Sequence, residues 1–139
     1  MGSRRKGRIL AFQALFSWDF THSTWEELSD FPWYDEEKRE ASGEDTLYFA
    51  RLILKGTLDN LPAIDELIKK HLENWDFDRL SKVDLAILRM SVYSLYYQTD
   101  IPATVTIDEA IDIAKEYSTD ESYRFINGVL DGIHKGIKG

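Results

Sequence analysis

Residues 4–20, RRKGRILAFQALFSWDF, set the fold class of this chain. Ile9, Leu10, Phe12, Leu15, Phe16, Trp18 and Phe20 spread around most of a helix circumference instead of forming one stripe. A helix apolar nearly all round has to be enclosed by other helices. The same stretch opens on Arg4, Arg5, Lys6 and Arg8, with no acidic residue before Asp19. At helical spacing Arg5, Ile9, Phe12 and Phe16 fall on neighbouring lines, so cations stand beside an aromatic edge at the end of a buried helix.

The remaining chain supplies the enclosing helices. Residues 22–45 are the least regular part. A short helix after Ser23 or Thr24 fits Trp25 and Leu28, Phe31 to Tyr34 read as a packed connector, and Asp35 to Glu40 read as a solvated charge run. Ser42 with Asp45 resembles a weak capping box for a helix carrying Phe49, Leu52, Ile53 and Gly56 on one stripe. Asn60 marks a break, and Pro62 suits the first turn of the next helix, whose buried face is Ile64, Leu67, Ile68 and Leu72. Trp75 to Phe77 interrupts the pattern. Ser81 with Asp84 starts a helix through Leu85, Leu88, Val92, Leu95 and Tyr96 that Asp100 and Pro102 bring to an end. Thr106 with Glu109 matches a capping box, and Ser118 or Thr119 is the expected cap of a last helix bearing Phe125, Ile126, Val129, Leu130 and Ile133. Asn127-Gly128 is a hairpin signal in isolation, but apolar residues at i, i+3 and i+4 favour a helix there. Gly128 then costs roughly 1 kcal/mol against alanine, for which close approach by a neighbouring helix or a ligand backbone is the expected compensation. No alternating strand pattern occurs. The expectation is an all-α fold of about seven helices: one domain over 1–139, with helical subdomains at 1–59 and 60–139 meeting near Asn60.

Composition bounds the function. Hydrophobic residues at 43% and aromatics at 13% suffice for a core without staples. The absence of cysteine excludes disulfides, thiolate catalysis and cysteine zinc sites, and fits a cytoplasmic protein. No signal peptide or membrane span is legible. The net charge of -8 argues against broad nucleic-acid binding, so the basic N-terminus is either a confined contact site or an ordinary charged end.

Enzymatic chemistry finds no support. His22, His71 and His134 are widely separated, without metal-ligand spacing. Asp108, Glu109 and Asp112 are better read as first-turn acids favoured by a helix dipole than as a catalytic pair. No phosphate-binding glycine loop or nucleophile elbow occurs. Two segments remain: the basic start of the chain, and Ser122-Tyr123-Arg124-Phe125-Ile126-Asn127-Gly128. Both set cations beside rings, a combination suited to single-stranded RNA, whose phosphates need neutralising and whose unpaired bases stack. Periodicity does not choose between this reading and one with Phe125 in the core and Arg124 merely solvated.

These segments resemble the NusB family. Arg4-Arg5-Lys6-Gly7-Arg8 with Phe12-Gln13-Ala14-Leu15-Phe16-Ser17-Trp18 looks like its arginine-rich first helix. Leu47-Tyr48-Phe49, Val83 to Arg89 with Tyr93, Ile101-Pro102, and Ile107 to Ile111 with Ala114-Lys115 follow in family order. Phe125-Ile126-Asn127-Gly128-Val129-Leu130-Asp131 is the most specific match. The resemblance implies an all-α fold of two helical subdomains. It further implies binding of boxA RNA jointly with the ribosomal protein NusE, and attachment to the RNA polymerase antitermination complex through other Nus factors. No catalytic residue, metal or cofactor is implied. Carried over by position, the RNA-facing residues are Arg4, Arg5, Lys6, Arg8, Phe16, Asp84, Glu121, Arg124 and Phe125, with the two acids tuning affinity. Phe16 stands where the family often has tyrosine, which keeps stacking and loses a hydroxyl. Residues 31–43 match no motif, and the NusE-facing surface is expected broadly on the helices after Asn60. A homodimer and a purely protein-binding helical adapter without RNA affinity stay open. An RNA methyltransferase role would need a methyl-donor domain that this chain lacks.

Overall fold

A computed structural model of the chain describes residues 3–72 and 76–138. Among them it is all-α, with eight helices: α1 (Ser3–Thr21), α2 (Trp25–Leu28), α3 (Glu36–Ser42), α4 (Glu44–Asp59), α5 (Leu61–Lys70), α6 (Lys82–Tyr97), α7 (Ala103–Tyr117) and α8 (Ser122–Lys138). A 3-10 turn, Phe77–Arg79, precedes α6. The expected interruption at Trp75 lies outside the described residues.

The central element is α6. Leu85 to Val92 are buried without a gap, so every face of this part of the helix meets protein, and α1, α4, α5, α7 and α8 all pack on it. The enclosed helix expected at the N-terminus is α1, buried from Gly7 to Phe12 and again at Ala14 and Leu15. Two glycines set the helix separations. A Cβ on Gly7 would lie 2.9 Å from the Phe49 ring and 3.1 Å from the Thr46 carbonyl, so α1 and α4 cross closely there. A Cβ on Gly56 would lie 2.1 Å from the Tyr93 ring, which therefore occupies that space between α4 and α6.

A charged network joins α1, α5 and α6. Arg89, buried on α6, forks onto Asp65 of α5 with two bonds of 2.9 Å and lies 3.6 Å from Asp19 of α1. Lys82 approaches the same Asp19 at 3.2 Å. Buried ion pairs contribute little net stability but are expensive to break singly, because the surviving charge stays buried.

Helix starts depart from expectation where a neighbouring residue overrides the cap. Ser81 caps α6, accepting from the Asp84 amide as its spacing predicts. The Thr106–Glu109 box does not form. Pro102, with φ fixed near -56°, lets the helix begin at Ala103, one turn early, and leaves Thr106 buried inside it. Ser42 does not cap α4 either: it closes α3, and Gly43 at φ 80° turns the chain between the two helices. The run Asp35 to Glu40 is more than a solvated face, since Asp35 caps α3 by accepting from the Lys38 amide. Arg39 on that helix donates to the carbonyls of Asp30, Phe31 and Tyr34, and Arg51 of α4 donates to that of Ser29. These bonds hold the connector over which Phe31 is wholly buried. Helix α6 stops at Tyr97, five residues short of Pro102. Gly128 lies within α8 as expected, but nothing lies within 4 Å of where its Cβ would be, so close packing does not explain it.

Candidate nucleic-acid interface

The four cations of the first helical turns diverge. Arg4 leans on Phe49, its guanidinium 4.5 Å from the ring centroid, and lines a hollow with Tyr48, Leu52 and Asp100 on the α4 side. Arg5 turns to α7, where Nε donates to Glu109 at 2.7 Å and Nη2 to Asp112 at 2.6 Å. Arg8 is buried, 5.2 Å from the Phe49 centroid and 3.9 Å from Glu109. Burial pushes its pKa down, and the Glu109 charge opposes that shift. Lys6 makes no ion pair among the described residues and lines an open hollow with Gln13, Tyr34, Lys38, Glu116 and Tyr117.

Tyr117, the last residue of α7, connects this hollow to a second. Its ring meets Phe12 of α1 at 5.2 Å, and it also lines an open hollow of about 630 Å³ with Val83, Asp84, Glu121 and Phe125. Burial, then the Glu116 charge, raises the Tyr117 hydroxyl pKa, so it remains a neutral donor at physiological pH. Phe12, Phe16 and Phe20 follow one another at i, i+4 and i+8. Phe16 meets Phe20 edge-on at 5.0 Å and extends the aromatic stripe beyond Tyr117.

Asp84 is the joint of the second hollow. It is 8% exposed, with Ser118 Oγ donating to Oδ1 at 2.7 Å and Ser122 Oγ to Oδ2 at 2.9 Å. One carboxylate at the start of α6 thus holds the end of α7 and the start of α8, and it is well placed against the positive end of α8. This arrangement also accounts for the start of α8. Ser118 is spent on Asp84, and Thr119 bonds the Ser122 hydroxyl at 2.9 Å from outside the helix. Phe125 sits one turn into α8, half-buried against the core while lining the hollow. Glu121 is exposed on the rim.

Arg124 is fully exposed. Its Nε donates to the Tyr123 hydroxyl at 3.2 Å, and it lines a third hollow with Asp112, Lys115, Tyr123 and Asn127. Basic start and last helix therefore meet across α7, by way of Asp112 on one side and Tyr117 on the other. The structure brings Lys6 and Phe125 to hollows sharing a wall. It commits Arg5 and Arg8 to Glu109, encloses Asp84, and turns Arg4 toward α4. Sequence reasoning missed Tyr117 and Lys38, and placed Tyr123 and Lys115 in quoted segments without giving either a role of its own. Only an aromatic residue closing a helix beside a Ser-Thr turn hinted at Tyr117. Among the described residues no cluster of His, Asp or Glu could hold a metal, and no helix is long and apolar enough to cross a membrane.

Comparison with known proteins agrees with this architecture. The model of the NusB family matches residues 5–135. The transcription antitermination protein NusB of Treponema pallidum (strain Nichols) is 52% identical over 132 residues, covering 95% of this chain and 92% of its own. That of Treponema denticola is 48% identical over 131 residues, covering 94% of each. A solved structure of T. maritima NusB superposes with a TM-score of 0.84 at 40% identity, over 95% of this chain and 90% of its own. A crystal structure of antitermination factors NusB and NusE in complex with dsRNA gives a TM-score of 0.81 at 28% identity, over 96% and 97% of the two chains. With a family model spanning almost its whole length and relatives near half identical, this chain belongs to the NusB family.

Proposed function

We propose that the chain is an RNA-binding transcription antitermination factor that holds boxA RNA of nascent transcripts, typically from ribosomal RNA operons, together with NusE. It joins the RNA polymerase antitermination complex through other Nus factors. It acts by binding, without catalysis, in the cytoplasm. The observation that carries this reading is the pair of hollows either side of Tyr117, one holding Lys6 and Lys38, the other Phe125. A single strand crossing that ridge meets cations for its phosphates and rings for its bases. Phe16 extends the ring surface, Arg124 supplies a further cation, and Glu121 on the rim weakens binding. Arg4 adds longer-range attraction. Arg5, Arg8 and Asp84 shape the surface more than they touch RNA.

The labour divides between residues 1–59, which bring the basic end, and 60–139, which bring the hollow around Asp84. NusE occupies a different face. Tyr48 is 64%, Leu52 42% and Tyr97 50% exposed, an unusual density of large apolar groups on neighbouring helices α4 and α6. This face begins earlier in the chain than the helices after Asn60.

The test is a titration of single-stranded boxA-like RNA, with a duplex arm, in the presence and absence of NusE and at several salt concentrations. Binding that weakens with salt supports the reading. No binding at low salt in any arm overturns it and favours a protein-only adapter. Leu52→Arg should abolish NusE capture and leave RNA binding by the chain alone unchanged.

A further inference from the structure

The third hollow, between α7 and α8, is lined by the cations Lys115 and Arg124 and by the acids Asp108 and Asp112, with Tyr123 and Asn127 beside them. Lys115 Nζ stands 4.9 Å from the Tyr123 ring centroid, and the Arg124 guanidinium 5.6 Å from the same centroid. Arg124 is further held by its bond to the Tyr123 hydroxyl. Two cations on one ring repel each other, and the ring quadrupole offsets only part of that repulsion. Neither cation forms an ion pair within 4 Å among the described residues. Of the two acids on the hollow, Asp112 is already bonded to Arg5, and Asp108 lies within ion-pair distance of neither cation. Asn127, exposed on the next turn of α8, has both amide donors and its carbonyl free of partners among the described residues.

We propose that Lys115 and Arg124, gathered by Tyr123, form a phosphate clamp that extends the RNA track past Phe125, with Asn127 reading the adjoining base edge. The clamp rests on the RNA-binding reading above. An RNA phosphate between the two cations removes their repulsion and accepts from both. The amide of Asn127 offers a donor and an acceptor, the pair that an unpaired base edge presents in complement. Tyr123 is a positioning residue: it holds cations and leaves stacking to Phe125 and Tyr117.

The test compares wild type, Lys115→Gln, Tyr123→Leu and Lys6→Gln on boxA-like RNA and on versions shortened by two nucleotides from either end. Lys115→Gln should weaken binding of the full RNA several-fold and lower its salt slope by about 0.7, the contribution of one phosphate contact on a single strand. Tyr123→Leu, which removes no charge, should also weaken binding. One of the shortened RNAs should bind wild type and Lys115→Gln equally, because it no longer reaches the clamp. Equal affinity of wild type and Lys115→Gln on the full RNA overturns the clamp, as does an identical loss on all three RNAs. If Lys6→Gln still weakens binding in that case, the RNA-binding reading survives and only the clamp falls. If no protein binds any RNA, both fall.

Discussion

Arg5 and Arg8, at the start of α1, end on Glu109 or Asp112, whereas Lys115 and Arg124, from α7 and α8, end on the Tyr123 ring. The first region looks far more basic along the sequence. Two of its four cations are nevertheless consumed in fixing α1 against α7, and a third leans on Phe49. The second region has fewer cations but leaves them outside carboxylate pairs. Cation density along a chain therefore measures what is available, and the pairing of each cation in the fold determines what remains for a ligand.

This contrast can be broken most forcefully at Glu109. Glu109→Ala strips the buried Arg8 of its nearest carboxylate, and removing one partner of a buried charge costs about 3 kcal/mol. Urea unfolding should register that loss. A cost below about 0.5 kcal/mol would mean that the α1 cations are not structural. Phe125→Leu comes next. It keeps apolar packing and removes a stacking face, so RNA affinity should fall by about 1–3 kcal/mol with a smaller change in thermal stability. Unchanged affinity in a fluorescence titration would assign Phe125 to the core alone.

Smaller effects sharpen the same comparison. Lys6→Gln should reduce the salt slope of RNA binding by about 0.7 and leave stability within about 0.5 kcal/mol. Arg5→Gln should lower the slope less than Lys6→Gln, because its guanidinium is already neutralised. The exposed Arg5–Asp112 pair itself is worth at most about 1 kcal/mol. A larger slope change for Arg5→Gln than for Lys6→Gln would reverse the assignment of the two side chains. Gly128→Ala is the smallest change. With open space around the new methyl group it should stabilise the chain by about 0.5–1 kcal/mol, readable as a raised urea midpoint.

Much of the fold was legible because it depends on local cues. The all-round apolarity of α1, the Ser81 cap of α6 and Pro62 in the first turn of α5 act within a few residues. The false cues were equally local. Thr106–Glu109 and Ser42–Asp45 have capping spacing, but Pro102 and Gly43 fix the backbone first. Helix α3 escaped notice because it buries no residue of its own. Its order comes from Asp35 and from Arg39 bonds to the connector, and charge patterning carries no trace of those. For the interface, residue types were legible and partners were not. The Arg5–Glu109 pair spans 104 positions, and Tyr117 acquires its role only because Phe12 and Phe125 lie on either side of it.

Asp84 carries a kinetic consequence. Since its carboxylate already receives both Ser118 and Ser122, the corner between α7 and α8 is locked in advance and no segment must reorder when a strand arrives. Rapid mixing should accordingly give single-phase association, with a rate constant limited by encounter and orientation. Replacing Asp84 with alanine should introduce a slower second phase as the loosened corner is recaptured.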